Sequence, residues 1–300
     1  MLKIQKYSIL LSFLGLWLTS YLTNESQTLL GLALIFSFGI LHGANDLKLI
    51  DHIEKGKGIH FLKILGAYIL LVLVSVVLFL QIPFFALLIF IVVSAYHFGE
   101  QNWQLFLKES NTITSGLLQF SYGLLILSAL FYFNAEEVEK IIFKIASIRI
   151  KESQFQILLL ISTLIYVVSC VLIVKERNVL ISNVLEQSLF IIILIVIFKV
   201  ASLILGFAIY FILWHSIPSL YDQIKFLYGT YNFSNFKKYF KAAFWYWLIS
   251  LLGVSVLYYI SKDMLFFDAL FFSFLASITF PHFIVIVVMF QRKKNDRYNL

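Results

Sequence analysis

The sequence predicts an all-α fold: a polytopic integral membrane helix bundle of about nine or ten transmembrane helices, forming one domain over residues 1–300. Three observations carry this. The 300-residue chain is 61% hydrophobic and only 13% charged, with mean hydropathy +0.93, whereas a soluble domain is roughly half apolar and about a quarter charged. Its charges gather in short stretches instead of spreading along amphipathic faces. Between them run apolar stretches close to the ~20 residues that a helix needs to cross a bilayer core of about 30 Å.

On that ruler, spans are expected at 7–22, 28–47, 61–80, 83–98, 113–133, 156–174, 242–260 and 265–290. The stretch 179–216 is either one long tilted helix with Lys199 in its middle or two spans turning near Lys199–Ser202. The two-span reading, ten spans in all, returns His42, His97, His215 and His282 to one side and is adopted here. Charged loops are expected at 48–60, 99–112, 134–155 and 217–241, with a charged tail from Gln291. Within 136–153, EEVEKIIFKIASIRIKES sets isoleucines at helical spacing among acids and bases, as an interfacial helix or a solvated linker would.

The net charge of +7 is loop charge, which speaks for orientation and anionic lipid. With ten spans the histidine-bearing side holds the larger share of Lys and Arg, so the positive-inside rule makes it cytoplasmic; the rule does not separate nine spans from ten. No basic surface interleaved with aromatic residues is present, so nucleic acid is not expected as a partner. Cys170 is the only cysteine and can form no internal disulfide. Lys3 and Lys6 precede an apolar run without a small-x-small cleavage site, which reads as a retained first span. No internal repeat or low-complexity tract divides the chain.

Four histidines lie in or at the mouths of the apolar runs: His42 in LHGANDL, His97 in YHFGEQNW, His215 in WHSIPSLYD and His282 in TFPHFIVIVVM. Hydrocarbon penalises such side chains, so each is a functional-site candidate. Helical spacing sets Asn45 and Asp46 one turn beyond His42, Glu100 and Gln101 beyond His97, and Ser219 then Asp222 beyond His215. These are acceptors suited to orienting a metal-ligating imidazole. His282 has none nearby. Pro281 frees the carbonyl of Ser277, and that carbonyl or the Thr279 hydroxyl is the expected substitute. The plain alternative is that each histidine is an ordinary residue of the membrane boundary. His52 and His60 fall in a charged loop, where solvent is expected. Asp51, His52 and Glu54 form at most an incidental metal site, and Lys199 is either a relay residue or a lysine at a helical turn.

Thiolate clusters are absent, so zinc-finger and iron–sulfur chemistry are excluded. An imidazole shell suits iron, copper, zinc or nickel, and one with open positions is compatible with ferrous iron and dioxygen. The paired-histidine motifs of membrane di-iron enzymes are missing, which favours a mononuclear site.

The set His42-Gly43-Ala44-Asn45-Asp46, Tyr96-His97-Phe98-Gly99-Glu100, Trp214-His215-Ser216 and Pro281-His282, in that order, resembles the bacteriorhodopsin-related-protein (Brp/Blh) family of β-carotene 15,15′-dioxygenases. The resemblance implies a multi-pass cell-membrane enzyme, a non-haem Fe(2+) oxidoreductase that cleaves the central double bond of β-carotene with O2. Two retinal molecules result, for a microbial rhodopsin. It makes His42, His97, His215 and His282 the iron ligands. The chain departs from the family pattern at Asn102, where the motif has aspartate, and at Pro218 and Ser219, where some relatives carry a further histidine; this bears on the fourth ligand.

A substrate dissolved in the bilayer would enter laterally between helices. Tyr96 and Trp214 are candidates for an aromatic tunnel wall, or else ordinary packing, and Asp46 and Glu100 are assigned to supporting the ligands. Two rivals from other classes are a histidine-relay transporter and a non-catalytic carotenoid- or retinal-binding membrane protein. The first predicts broken helices in symmetric halves, which the sequence does not show.

Overall fold

The computed structural model describes residues 2–54, 61–104, 106–107, 113–176, 178–261 and 267–298. Every regular element among them is helical. In chain order these are α1 (Leu2–Thr19), α2 (Asn24–Leu34), a π-helical turn (Ile35–Gly39), α3 (Ile40–Gly43), α4 (Asp46–Ile53), α5 (Phe61–Gln81), α6 (Pro83–Trp103) and α7 (Ile113–Phe133). Next come α8 (Ala135–Ala146), α9 (Glu152–Lys175), α10 (Ile181–Val200), α11 (Leu203–Tyr210), a second π-helical turn (Phe211–Ser216), α12 (Ile217–Tyr228), α13 (Phe233–Ser261) and α14 (Phe267–Tyr298). Among the described residues, nine helical runs are long and apolar enough to cross a membrane. The expected all-α polytopic bundle is therefore what the chain forms. α1 is helical but is not one of the nine. Large apolar side chains are exposed along α5, including Leu62, Leu70, Leu73 and Leu80, and along α9, including Leu160, Leu164 and Val171. Water would not tolerate such continuous apolar faces, and lipid does.

The chain folds into two compact units interleaved in sequence, Met1–Leu34 with Ile91–His215 and Ile35–Phe90 with Ser216–Leu300. In the first, α7 lies along α9, and the seam is lined with small polar residues. Ser128 and Ser162 hydroxyls meet at 2.7 Å, Ser121 donates to Ser169 at 3.4 Å, and Asn178 donates to Ser115 at 3.1 Å. Without water to drive apolar contacts together, small residues and short hydrogen bonds hold membrane helices close. α6 and α7 come closer still. A Cβ on Gly99 would overlap the carbonyl oxygen of Gln119, and a Cβ on Gly123 would overlap that of Ala95. This reciprocal contact brackets His97, which lies between Ala95 and Gly99.

α10 and α11 are separate helices, as the two-span reading expects. Ala201 is extended, and Ser202 caps α11 by accepting from the Leu205 N–H. The backbone N–H of Ser202 donates to Gln27 Oε1 of α2 at 2.8 Å, so the break is held by a buried amide. α2 then runs against α11 where a Cβ on Gly31 would approach the Ile204 carbonyl oxygen to 2.9 Å. Lys199 is exposed in the last turn of α10, a lysine at a turn.

In the second unit, α14 packs on α4 and α5 around Leu49, Ile53, Val285, Ile286, Met289 and Phe290. Buried polar groups fix α12, α13 and the α3–α4 turn. Asn45 Nδ2 donates to the Tyr239 carbonyl at 3.0 Å, and the Tyr239 hydroxyl donates to Gln223 Oε1 at 2.6 Å, lying 3.2 Å from the His42 carbonyl oxygen.

Several expected loops are helical. α4 occupies part of 48–60, α6 continues past 98 to Trp103, α12 and the start of α13 fill much of 217–241, and α14 runs beyond 290. The reason is amphipathicity. A stretch such as α4 buries Leu47, Leu49 and Ile53 while leaving Asp51 exposed, so polar residues alone do not end a helix. The segment 136–153 divides into α8, closed by left-handed Ser147, and the start of α9. His60, Lys55, Lys57, Lys108 and Arg177 lie outside the described residues.

Candidate metal centre

The second unit brings His42 and His282 together. Their rings sit edge to face with centroids 4.8 Å apart, and both side chains are buried. His282 Nδ1 lies 2.9 Å from Asp46 Oδ1 and 3.1 Å from Oδ2. With the proton on Nδ1 the carboxylate accepts from the ring, and the ring's lone pair then falls on Nε2. Tyr68 donates its hydroxyl to Asp46 Oδ2 at 3.0 Å, so the carboxylate receives a donor on each oxygen. Asp46 is 2% exposed, a depth at which a carboxylate without such donors would be costly. His42 has the Gly39 backbone as a hydrogen-bond partner.

This corrects the expected pairing, in which Asp46 served His42 and His282 leaned on Ser277 or Thr279. The chain turns at Ala44 and Asn45, where Asn45 (φ −104°, ψ 11°) starts a new helix, so Asp46 leaves the face that a continuous helix would share with His42. The Thr279 hydroxyl is spent on the Leu275 carbonyl at 2.8 Å.

The first unit brings His97 and His215 together, with ring centroids 4.6 Å apart. Each is 1% exposed. Phe98 meets the His215 ring edge-on at 4.9 Å. Along the helix Phe207, Phe211 and His215 stack in succession, centroids 5.2 Å and then 5.5 Å apart. His215 stands in the π-helical turn Phe211–Ser216. Pro218 explains that turn locally. It has no N–H for the Trp214 carbonyl four residues earlier, so the α-helical ladder cannot continue there, and single π turns of this kind are frequent at functional sites.

The other expected residues surround these pairs or support the helices that carry them. Glu100 is buried one turn after His97, its Oε2 without a hydrogen-bond partner. Tyr96 is half-buried beside it. Trp214 is buried, donating its indole N–H to Ser12 at 2.9 Å and resting on Phe190. Ser219 accepts from Gln223 at 3.1 Å, and Asp222 is buried. His52, expected in solvent, lies half-buried in α4, edge-on to Phe226 at 5.1 Å.

A family model described as β-carotene 15,15′-dioxygenase matches residues 33–290. The chain belongs to the β-carotene 15,15′-dioxygenase family. No curated protein and no solved structure matches it. It is thus an oxidoreductase, and the matched stretch contains all four histidines, Asp46, Glu100 and Tyr68. The donor chemistry of the two pairs fits a metal that takes imidazole: buried nitrogen donors without thiolates, one of them set in its tautomer by a carboxylate.

Sequence reasoning missed Tyr68, Tyr239 and Gln223. A signal existed for Tyr68, since its hydroxyl stands in the run ILGAYILLVLV, where every neighbour is aliphatic or glycine. A phenol hydroxyl facing the packed side of such a run needs an acceptor.

Proposed function

We propose that this family member is a multi-pass cell-membrane enzyme in which His42, His97, His215 and His282 hold one ferrous ion. The reaction is cleavage of β-carotene at the C15=C15′ bond by O2. The double bond breaks, each carbon takes one oxygen atom, and two retinal molecules form without an external reductant. The observation that carries the reading is the family match over residues 33–290, which includes both buried histidine pairs.

Bound ferrous iron would supply the open-shell chemistry that lets dioxygen react with a spin-paired polyene. The residues of the chain do the rest. Asp46 keeps His282 in the tautomer that presents Nε2. Phe98 and Phe211 pack against His215 and keep water from that ring. The apolar outer faces of helices such as α5 and α9 suit a hydrocarbon substrate delivered from lipid. Tyr96, half-buried beside His97, is the better candidate for a wall along the polyene, since Trp214 is engaged with Ser12 and Phe190. Glu100 supports the ligand set from one turn beyond His97. Retinal released into the bilayer is suited to a microbial rhodopsin.

Expression in cells that accumulate β-carotene tests this. Loss of orange colour with appearance of retinal is expected; unchanged pigment with the chain present in the membrane would overturn it and return the transporter and binding-protein readings.

A further inference from the structure

We infer that Tyr68 is a positioning residue of the metal centre, acting through Asp46 on His282. The inference rests on the ferrous reading above and names a residue that neither the histidine motifs nor the family match singles out.

Three groups from three helices form one line. Tyr68 on α5 donates to Asp46 Oδ2 at 3.0 Å, and His282 Nδ1 on α14 lies 2.9 Å from Oδ1 and 3.1 Å from Oδ2 of Asp46 at the start of α4, so Oδ2 is shared between the two. An aspartate has two side-chain torsions, and a single donor leaves the carboxylate able to swing about its terminal one. Donors on both oxygens remove that freedom. The direction of the His282 ring is then set by a carboxylate that is itself held, which is the arrangement that raises ligand basicity and fixes ring orientation at metal sites.

Tyr68 is half-buried, packed against the core of its unit. Its ring packs with the core of Leu49, Ile53, Ile286 and Met289, residues of the same helices that carry Asp46 and His282. The hydroxyl is therefore presented by the apolar packing that assembles the unit. Its neighbours from Ile64 to Val74 carry no other polar side chain. Packing needs only the ring; the hydroxyl is explained by the carboxylate.

The test is a double-mutant cycle of Y68F and D46N on the detergent-solubilised full chain. The readouts are ferrous iron retained after dialysis against a graded chelator and the thermal unfolding temperature of the metal-free chain. Y68F is expected to keep its unfolding temperature and expression while retaining iron roughly tenfold less tightly, the lower end of what loss of an outer partner costs a metal ligand. In the D46N background the same change is expected to do nothing further, because its effect runs through the carboxylate. Iron retention of Y68F equal to wild type, or a Y68F effect of the same size in both backgrounds, would overturn the inference while leaving the ferrous reading standing. A wild-type chain that binds no ferrous iron would remove that reading and this inference with it. Should Y68F lose its fold, D46N with Tyr68 intact still decides: a wild-type iron affinity there overturns the relay.

Discussion

His282 and Asp46, 236 residues apart in sequence, are joined by a hydrogen bond of 2.9 Å between Nδ1 and Oδ1 in a buried setting. The tautomer of His282 is thereby set by a residue on another helix, and Asp46→Asn is the change that isolates it. The amide can still occupy the space but offers a weaker acceptor and a donor in competition. Iron affinity is expected to fall by about 10- to 100-fold, with the metal-free fold retained. Metal analysis of the purified variant checks this.

His97 and His215 share the second close pair, so removing either ring should act on metal and turnover together. His97→Ala is expected to abolish iron content and carotene cleavage in one step. A variant that keeps full activity would remove His97 from the site.

The crossing of α6 and α7 leaves no room for a methyl group at Gly99 or Gly123. Gly99→Ala should force the two backbones apart, at a cost of roughly 1–3 kcal/mol or more, and displace His97 with them. Gly66 on α5 faces open space, and Gly66→Ala should instead be neutral or stabilise by about 0.5–1 kcal/mol through helix propensity. Thermal unfolding of the two variants side by side measures the contrast.

Pro218→Ala restores an N–H to the Trp214 carbonyl and lets the π-helical turn relax toward an α-helix. His215 would then rotate off its present direction. Activity is expected to drop by about 100-fold, the cost of a displacement near 1 Å at a reacting centre, while stability holds or rises. Turnover and unfolding temperature moving in opposite directions is the signature.

Much of the fold was legible because lipid imposes a simple rule: apolar runs of span length become helices, and the break near Lys199–Ser202, adopted to bring the histidines to one side, falls at the extended Ala201. Helix ends were less legible. An amphipathic segment such as α4 is stabilised by one buried side, and its sequence looks like a loop. The histidines stood out because imidazole is expensive in hydrocarbon. Their partners did not, since Asp46 was assigned by helical spacing to His42 while the turn at Asn45 carries it to His282. Such a pairing across most of the chain is a property of tertiary packing, which spacing along one helix cannot reveal.

X-ray absorption at the iron edge of the ferrous-loaded chain tests the central claim most directly. The account predicts one iron per chain with a first shell dominated by imidazole nitrogen, contributed by His42, His97, His215 and His282. A chain that takes up no iron, or one whose iron shows a shell of oxygen donors with no imidazole signature, would contradict it.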